Sequence, residues 1–555
     1  MTVTIRSRRT ALAAATALAL TVTAAACSGK AGGSGGSRDG RAGSTTGAGK
    51  TSYHLTADTG TPKGDVDSFT WSLFAEPPSI DYTQAFDYPP NQVLANVCES
   101  LLRWNPDLTT SPGLATAWQN PDSKTWVFTI RDGVRFHDGT TLTADDVVAS
   151  LSRNMDPDAA SVWANQYRNV DKIEKTGPLQ VTVHLKSPDS TFLEYMAASP
   201  GTVESAATLT ADGKDYGGPA KGVNCTGPFS FGSWQPGQSI VLKRFDGYWD
   251  PSLKAHSKQV KFVFIVDPTA RVNAFQTGEV DGGWMIPPGS FSQLASNVSF
   301  GKSTMVADEV VANLSGPLGD PRVRQALLMA TDRKGIIDAG DGGVGEIADS
   351  LVSADNWSNA PEAEKKAGTT GLPSYPYDKA KAKALAQQAG VHGQEVVIAT
   401  SPLDTQTTII TQAIAQACTD IGLTPKIDTI AADKYTALFT DPAARKGVDL
   451  FLTFWYTSIT DPLDMYASLE TGAFSNYGGY SNKDFDAAFE QAVGSYDPAA
   501  RAQATGKAQQ IALTELPWLP LYDEPVSVYQ GPKITGVKPS IDYLYYPWAA
   551  EIGAR

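Results

Sequence analysis

Few residues in this chain could make or break a bond. The five histidines, His54, His137, His184, His256 and His392, are scattered, and none has a spacing such as H-E-x-x-H that would put two ligands on one helix face. His137 beside Asp138 reads as a turn residue rather than a base. The acidic, glycine-rich run 338–349 lacks the alternating ligands of a calcium loop and reads as a solvated loop. Two catalytic-looking motifs fail on context. Gly32-Gly33-Ser34-Gly35-Gly36 has the form of a hydrolase elbow, and Gly49-Lys50-Thr51 the end of a phosphate loop. Neither has a strand before it and a helix after it, and position 44, where a phosphate loop needs glycine, is serine. No nucleophile can be assembled with a base, so an exported hydrolase finds no support. No metal or cofactor is expected. Binding without catalysis remains.

The elements that would position a binding site are legible. Residues 68–74 form a first strand, ended by Pro77-Pro78, and an aromatic loop, 82–90, leads to a helix expected over 91–102. Trp126, Phe128 and Ile130 alternate with Val127, Thr129 and Arg131, the period-2 pattern of a half-buried strand. Asp132-Gly133 and Asp138-Gly139 mark turns. Thr143, three residues before Asp146, makes a capping-box start for a helix whose inner face carries Val147, Val148 and Leu151. Further strands are expected at 181–185, 261–267, 424–430 and 450–456, and helices at 270–278, 320–337, 377–390, 407–422, 484–493 and 501–513. Strands alternate with helices throughout, which makes the class α/β.

At 555 residues the chain is too long for one core and should divide into two or three lobes. Its net charge of −14 excludes a surface for nucleic acid or anionic lipid, which requires basic patches. Arg6, Arg8 and Arg9 precede an apolar run, 11–26, and small residues lead to Cys27. This resembles a bacterial lipoprotein signal, cleaved before a cysteine that is then lipidated. Ser7-Arg8-Arg9 also resembles a twin-arginine export signal. Residues 28–64 are Gly, Ser, Thr and Ala with almost nothing to bury, and read as a flexible tether.

The stretch 114–153 carries a wider resemblance. Ala117-Trp118, Arg131 to Phe136, Asp138-Gly139 and Ala144 to Val147 resemble the signature segment of family 5 solute-binding proteins, the peptide, nickel and oligosaccharide receptors of ABC importers. Ser79-Ile80-Asp81 with Glu99 to Leu102, Thr226-Gly227-Pro228 with Cys225 in place of a first glycine, and 270–281 are similar to further landmarks. The resemblance implies a two-lobed periplasmic-binding-protein type II-like fold with an extra subdomain on lobe one. Lobe one would run over 65–304, with the subdomain at about 91–222. Lobe two would span 305–515, and 516–555 would return to lobe one. The chain would cross near 305–314 and 516–526.

The same resemblance implies the function and the site. A monomer held at the cell membrane by its lipid, on the extracytoplasmic face, would capture a solute by hinge closure. It would then deliver that solute to a permease and ATPase. Oligopeptide is the leading ligand, ahead of oligosaccharide and nickel chelate; a sensor or chaperone without transport is the other alternative. Cleft segments of the family fall on Tyr82, Phe86, Asp87, Tyr88, Trp284, Met285, Phe454, Trp455, Tyr456, Ser458 and Asp461. Trp455, Asp461 and Pro462 match the family pattern, but Ser458 stands where peptide receptors carry the aspartate that holds the ligand's α-ammonium. Serine cannot supply that charge-assisted bond, so another acid, Asp87 for one, would have to. With Cys27 assigned to lipid, Cys98 and Cys225 fall together in lobe one and Cys418 in lobe two. A bridge between lobes would hinder closure, so a Cys98–Cys225 disulfide is preferred, with three buried thiols as the alternative.

Overall fold

The computed structural model describes residues 53–402 and 405–555. The signal segment, Cys27 and the tether through residue 52 lie outside the described residues. Among those described, no helix is long and apolar enough to cross a membrane.

Two sheets organise the molecule. The first, in lobe one, has the strand order Phe229–Gln235, Ser239–Arg244, Ser257–Phe264, Val66–Leu73, Gly282–Trp284, Val526–Gln530, Val298–Gly301. Its central strand, Val66–Leu73, runs parallel to both neighbours. Phe69, Trp71 and Leu73 point into a core shared with Trp284, Tyr543 and Trp548. The second sheet, in lobe two, has the order Glu346–Ile347, Trp518–Asp523, Val306–Val311, Leu450–Trp455, Glu395–Thr400, Thr424–Thr429. Thr405–Ile421 packs Ile410, Ile414 and Cys418 against this sheet. The chain passes from the first sheet to the second through 302–305 and returns through 524–525, so two short segments join the sheets.

The signature stretch forms part of a satellite sheet ordered Ala115–Asp122, Thr125–Ile130, Gln180–Leu185, Val170–Gly177. Trp126, Phe128 and Ile130 are buried as their alternation requires. Thr143 and Asp146 form both halves of a capping box on Ala144–Ser152.

Four expectations change. The first helix is Tyr88–Val97 rather than 91–102, because the Asp87 carboxylate caps it and two prolines occupy its first turn. The single helix expected over 320–337 is two, Pro321–Ala330 and Arg333–Gly340, because Asp332 accepts from the Gly335 N–H and starts a second helix. The loop 338–349 is not simply solvated: Asp341 is fully buried, and Gln406 Nε2 donates to it at 3.3 Å. Residues 53–64, the far end of the tether as read in sequence, hydrogen-bond to lobe one. The Thr56 N–H donates to the Phe300 carbonyl (2.6 Å), Thr59 Oγ1 to Gln530 Oε1 (2.9 Å) and the Lys63 N–H to the Ala554 carbonyl (2.8 Å).

Candidate functional site

Beside the crossings, the two lobes face each other across a set of rings. Asp87 caps Tyr88–Val97 and so fixes the loop before it. From lobe one, Tyr88 donates its hydroxyl to the Phe454 carbonyl of lobe two (3.0 Å) and lies 3.1 Å from Met305 Sδ on the first crossing. From lobe two, the Tyr456 hydroxyl donates to the Phe86 carbonyl at 2.7 Å, and the Tyr88 and Tyr456 rings lie 4.8 Å apart. Phe454 and Tyr456 are brought here by Leu450–Trp455 and the turn after it. Phe74, Phe86, Met285, Phe454, Tyr456 and Tyr545 are only partly buried although each packs against the lobe-one core. Phe86, Phe454 and Tyr456 meet where the two lobes touch.

The sequence-derived candidates divide. Phe86, Asp87, Tyr88, Phe454 and Tyr456 come together at this junction, and half-buried Met285 packs on the core of the same lobe. Tyr82 does not line it: its ring is wholly buried, its hydroxyl donates to the Ser150 carbonyl at 2.5 Å, and Arg153 lies over its face. Trp284 is a core residue, stacked on Tyr543 at 4.3 Å and flanked by Trp71 and Trp548. Trp455 turns to Trp518 and Tyr477 within lobe two. Asp461 is buried and paired with Arg501, which also reaches Glu364 at 3.5 Å. Cys98 and Cys225 are disulfide-bonded, and Cys418 is a buried thiol.

Three residues at this junction were not anticipated: Met305 and Glu524 on the two crossings, the Glu524 N–H donating to the Met305 carbonyl at 3.2 Å, and Tyr545 on the returning C-terminal segment, where Tyr543 is instead a core ring stacked on Trp284. A signal for Tyr545 existed. Residues 542–548, DYLYYPW, hold four aromatics in seven positions.

Residues 109–477 match the family model for bacterial extracellular solute-binding proteins, family 5. The chain belongs to this family. It is a solute-binding protein of ABC importers and not an enzyme. The glutathione-binding protein GsiB of Salmonella paratyphi A is 26% identical over 471 residues, covering 82% of this chain and 89% of the relative. GsiB of Escherichia coli K12 is 27% identical over 427 residues, covering 75% and 80%. Among solved structures, AppA of Bacillus subtilis with a nonapeptide superposes with a TM-score of 0.77 at 21% identity, covering 89% of this chain and all of the other. AgaA of Agrobacterium tumefaciens R10 with agropinic acid superposes with a TM-score of 0.76 at 23% identity, covering 88% and 99%. These structural likenesses establish the two-lobed fold.

In this solute-binding protein Ser458 is engaged in internal bonds. The Ser458 N–H donates to Asp464 Oδ2 at 2.6 Å, and Tyr545 Oη donates to Ser458 Oγ at 3.3 Å. The other Asp464 oxygen accepts from the Tyr195 hydroxyl of lobe one at 2.7 Å. Burial pushes the Asp464 carboxyl up to about 6 despite those donors. A second interlobe patch lies close by: the Ser190 N–H donates to the Val493 carbonyl (2.8 Å) and the Tyr496 hydroxyl to the Asp189 carbonyl (2.8 Å).

Proposed function

We propose that this receptor captures a short peptide between its lobes and hands it to a membrane permease driven by an ATPase. The observation that carries the reading is the set of rings that meet across the lobes beside two short crossings at 302–305 and 524–525. Lobes joined only there can rotate about those segments, and a ligand touching both faces stabilises the closed arrangement. The names of relatives favour a peptide over a sugar or a nickel chelate: GsiB is named for glutathione, and the AppA structure holds a nonapeptide. Native mass spectrometry of the purified full chain should show a co-purified peptide. Saturating peptide at one hundred times its Kd should add about 2.7 kcal/mol to stability by mass action. Retention of a sugar or a metal chelate, with no response to any peptide, overturns the reading.

The receptor acts as a monomer anchored through lipid on Cys27, with the folded lobes outside the membrane. The sequence around Cys27 supports this, since small residues follow an apolar run of signal length. Cys27→Ala should move the protein from the membrane fraction to the soluble fraction of lysed cells. A variant that still sediments with membranes would require a different anchor.

A further inference from the structure

The lobes are fastened to each other at a second place, remote in sequence from the crossings. The loop 187–191 and the short helix Phe192–Tyr195 follow the satellite strand Gln180–Leu185, and they meet the lobe-two helices Lys483–Val493 and Pro498–Glu515. The loop is built within lobe one. Asp189 Oδ1 accepts from the Thr191 N–H (3.0 Å) and hydroxyl (2.7 Å), and Oδ2 from Asn169 Nδ2 (2.9 Å).

Across the gap, the Ser190 N–H donates to the Val493 carbonyl at 2.8 Å and the Tyr496 hydroxyl to the Asp189 carbonyl at 2.8 Å. Arg501 Nε donates to Ser190 Oγ at 2.9 Å, a charge-assisted bond. Arg501 is itself gripped within lobe two by Asp461 and Glu364, so its Nε is aimed before the lobes meet. Beside it, the Arg168 guanidinium of lobe one lies 5.4 Å from the Phe489 ring centre and reaches Glu470 and Glu490 at 3.8 and 3.9 Å. Asp464 ties this patch to the ring junction, accepting from Tyr195 on one oxygen and from the Ser458 N–H on the other. Among the described residues, each bond that the Ser190 side chain makes crosses between the lobes. The patch is satisfied by protein alone and leaves nothing for a solute to complete.

We propose that Ser190, Tyr496 and Arg501 form a latch that sets how much of the receptor stands closed before a solute arrives. They are positioning residues: they touch each other's lobe, not the ligand. The proposal rests on the hinge-closing reading above and not on the class of the ligand. Because only the closed fraction holds a solute firmly, the apparent Kd of every ligand varies inversely with that fraction.

Spin labels on Asp171→Cys and Lys507→Cys, exposed positions of lobe one and lobe two, report the closure in the full chain carrying Cys27→Ala. The remaining cysteines are bridged or buried and escape labelling. Native mass spectrometry first confirms that the sample carries no solute. The ligand-free protein should then show the short interlobe distance as its main population. Ser190→Ala with Tyr496→Phe removes two oxygens and leaves the bonds inside each lobe intact, so both lobes should fold. It should lower the ratio of closed to open at least fivefold, as expected for two lost hydrogen bonds. In calorimetry with di- to pentapeptides, every peptide that binds should weaken by the factor by which the closed fraction fell. If the ligand-free distances of variant and unmodified latch agree, the latch is overturned, and the hinge reading stands provided that a peptide shortens the distance. If the loss differs from peptide to peptide, these residues touch the ligand and the positioning role is overturned. If neither the variant nor any bound peptide changes the distance, the hinge reading falls and takes the latch with it. If no peptide binds, the peptide reading falls, while the ligand-free distances still decide the latch.

Discussion

Arg153→Met should destabilise the protein by about 3–5 kcal/mol at neutral pH, the cost of leaving buried carboxylates without their cation. Arg153 follows the helix Ala144–Ser152 and joins three segments. Its Nη1 donates to Glu204 Oε2 at 2.7 Å and to Asp81 Oδ1 at 3.0 Å, and the guanidinium lies over the Tyr82 and Tyr216 rings. The Glu204 side chain is wholly enclosed. Burial already holds its carboxyl well above the ordinary 4.5, with Asp81 pushing in the same direction and Arg153 opposing. The sign of the pH dependence follows. A carboxyl whose folded pKa is raised binds its proton more readily in the folded state, so it lowers stability as pH rises above about 4.5, the unfolded value. Without Arg153 the folded value rises further, so the deficit of the variant should be largest at pH 7.5 and shrink toward pH 5. Adding Glu204→Gln should recover much of it. Urea denaturation followed by tryptophan fluorescence at both pH values checks this. A loss under 1 kcal/mol at pH 7.5, or one equal at both, would mean that solvent rather than Arg153 balances these acids.

What the sequence made legible is what is local. The capping box at Thr143 and Asp146 and the alternation of Trp126, Phe128 and Ile130 need only neighbours a few residues apart, and both are realised. The break at Thr331 was hidden because the apolar positions of Pro321–Ala330 continue in phase into the next turn, while the competing Asp332 cap looks like any surface aspartate. The cleft was only half visible. Residue type places Tyr82, Trp284 and Tyr456 in one class, yet two are core and one lies at the junction. Gly282–Trp284 is too short a strand for alternation to tell which face Trp284 takes. Tyr545 reaches Ser458 only because the chain returns to lobe one after Trp518–Asp523, a contact that no local pattern reports. Ser458 was legible as a departure from the family. The bonds that engage it, to Asp464 and Tyr545, needed the fold.

Replacing Cys98 and Cys225 together by alanine should cost about 2–5 kcal/mol, toward the upper end because the closed loop is long. The bridge spans 127 residues with Cα atoms 4.9 Å apart, and the loop it closes contains the entire four-stranded satellite sheet. Cys98 ends the helix that Asp87 begins, so the bridge fixes the satellite unit to the helix Tyr88–Val97. Hydrogen bonds reinforce the junction: the Gly227 N–H donates to the Val97 carbonyl at 2.9 Å, the His137 N–H to the Cys225 carbonyl at 2.9 Å, and Thr226 Oγ1 to Glu99 Oε2 at 2.8 Å. These bonds hold only while both segments are in place. The disulfide also restricts the unfolded chain, and that contribution is lost in the variant. Both cysteines are buried, so the alanines lose some packing as well. The wild type under a strong reductant should unfold at nearly the same urea concentration as the double variant. Hydrogen exchange should quicken first in Thr125–Ile130 and Gln180–Leu185, ahead of the lobe-two sheet. A loss below 1 kcal/mol, with exchange unchanged in those two strands, would mean that the Gly227, His137 and Thr226 bonds hold the unit without the bridge.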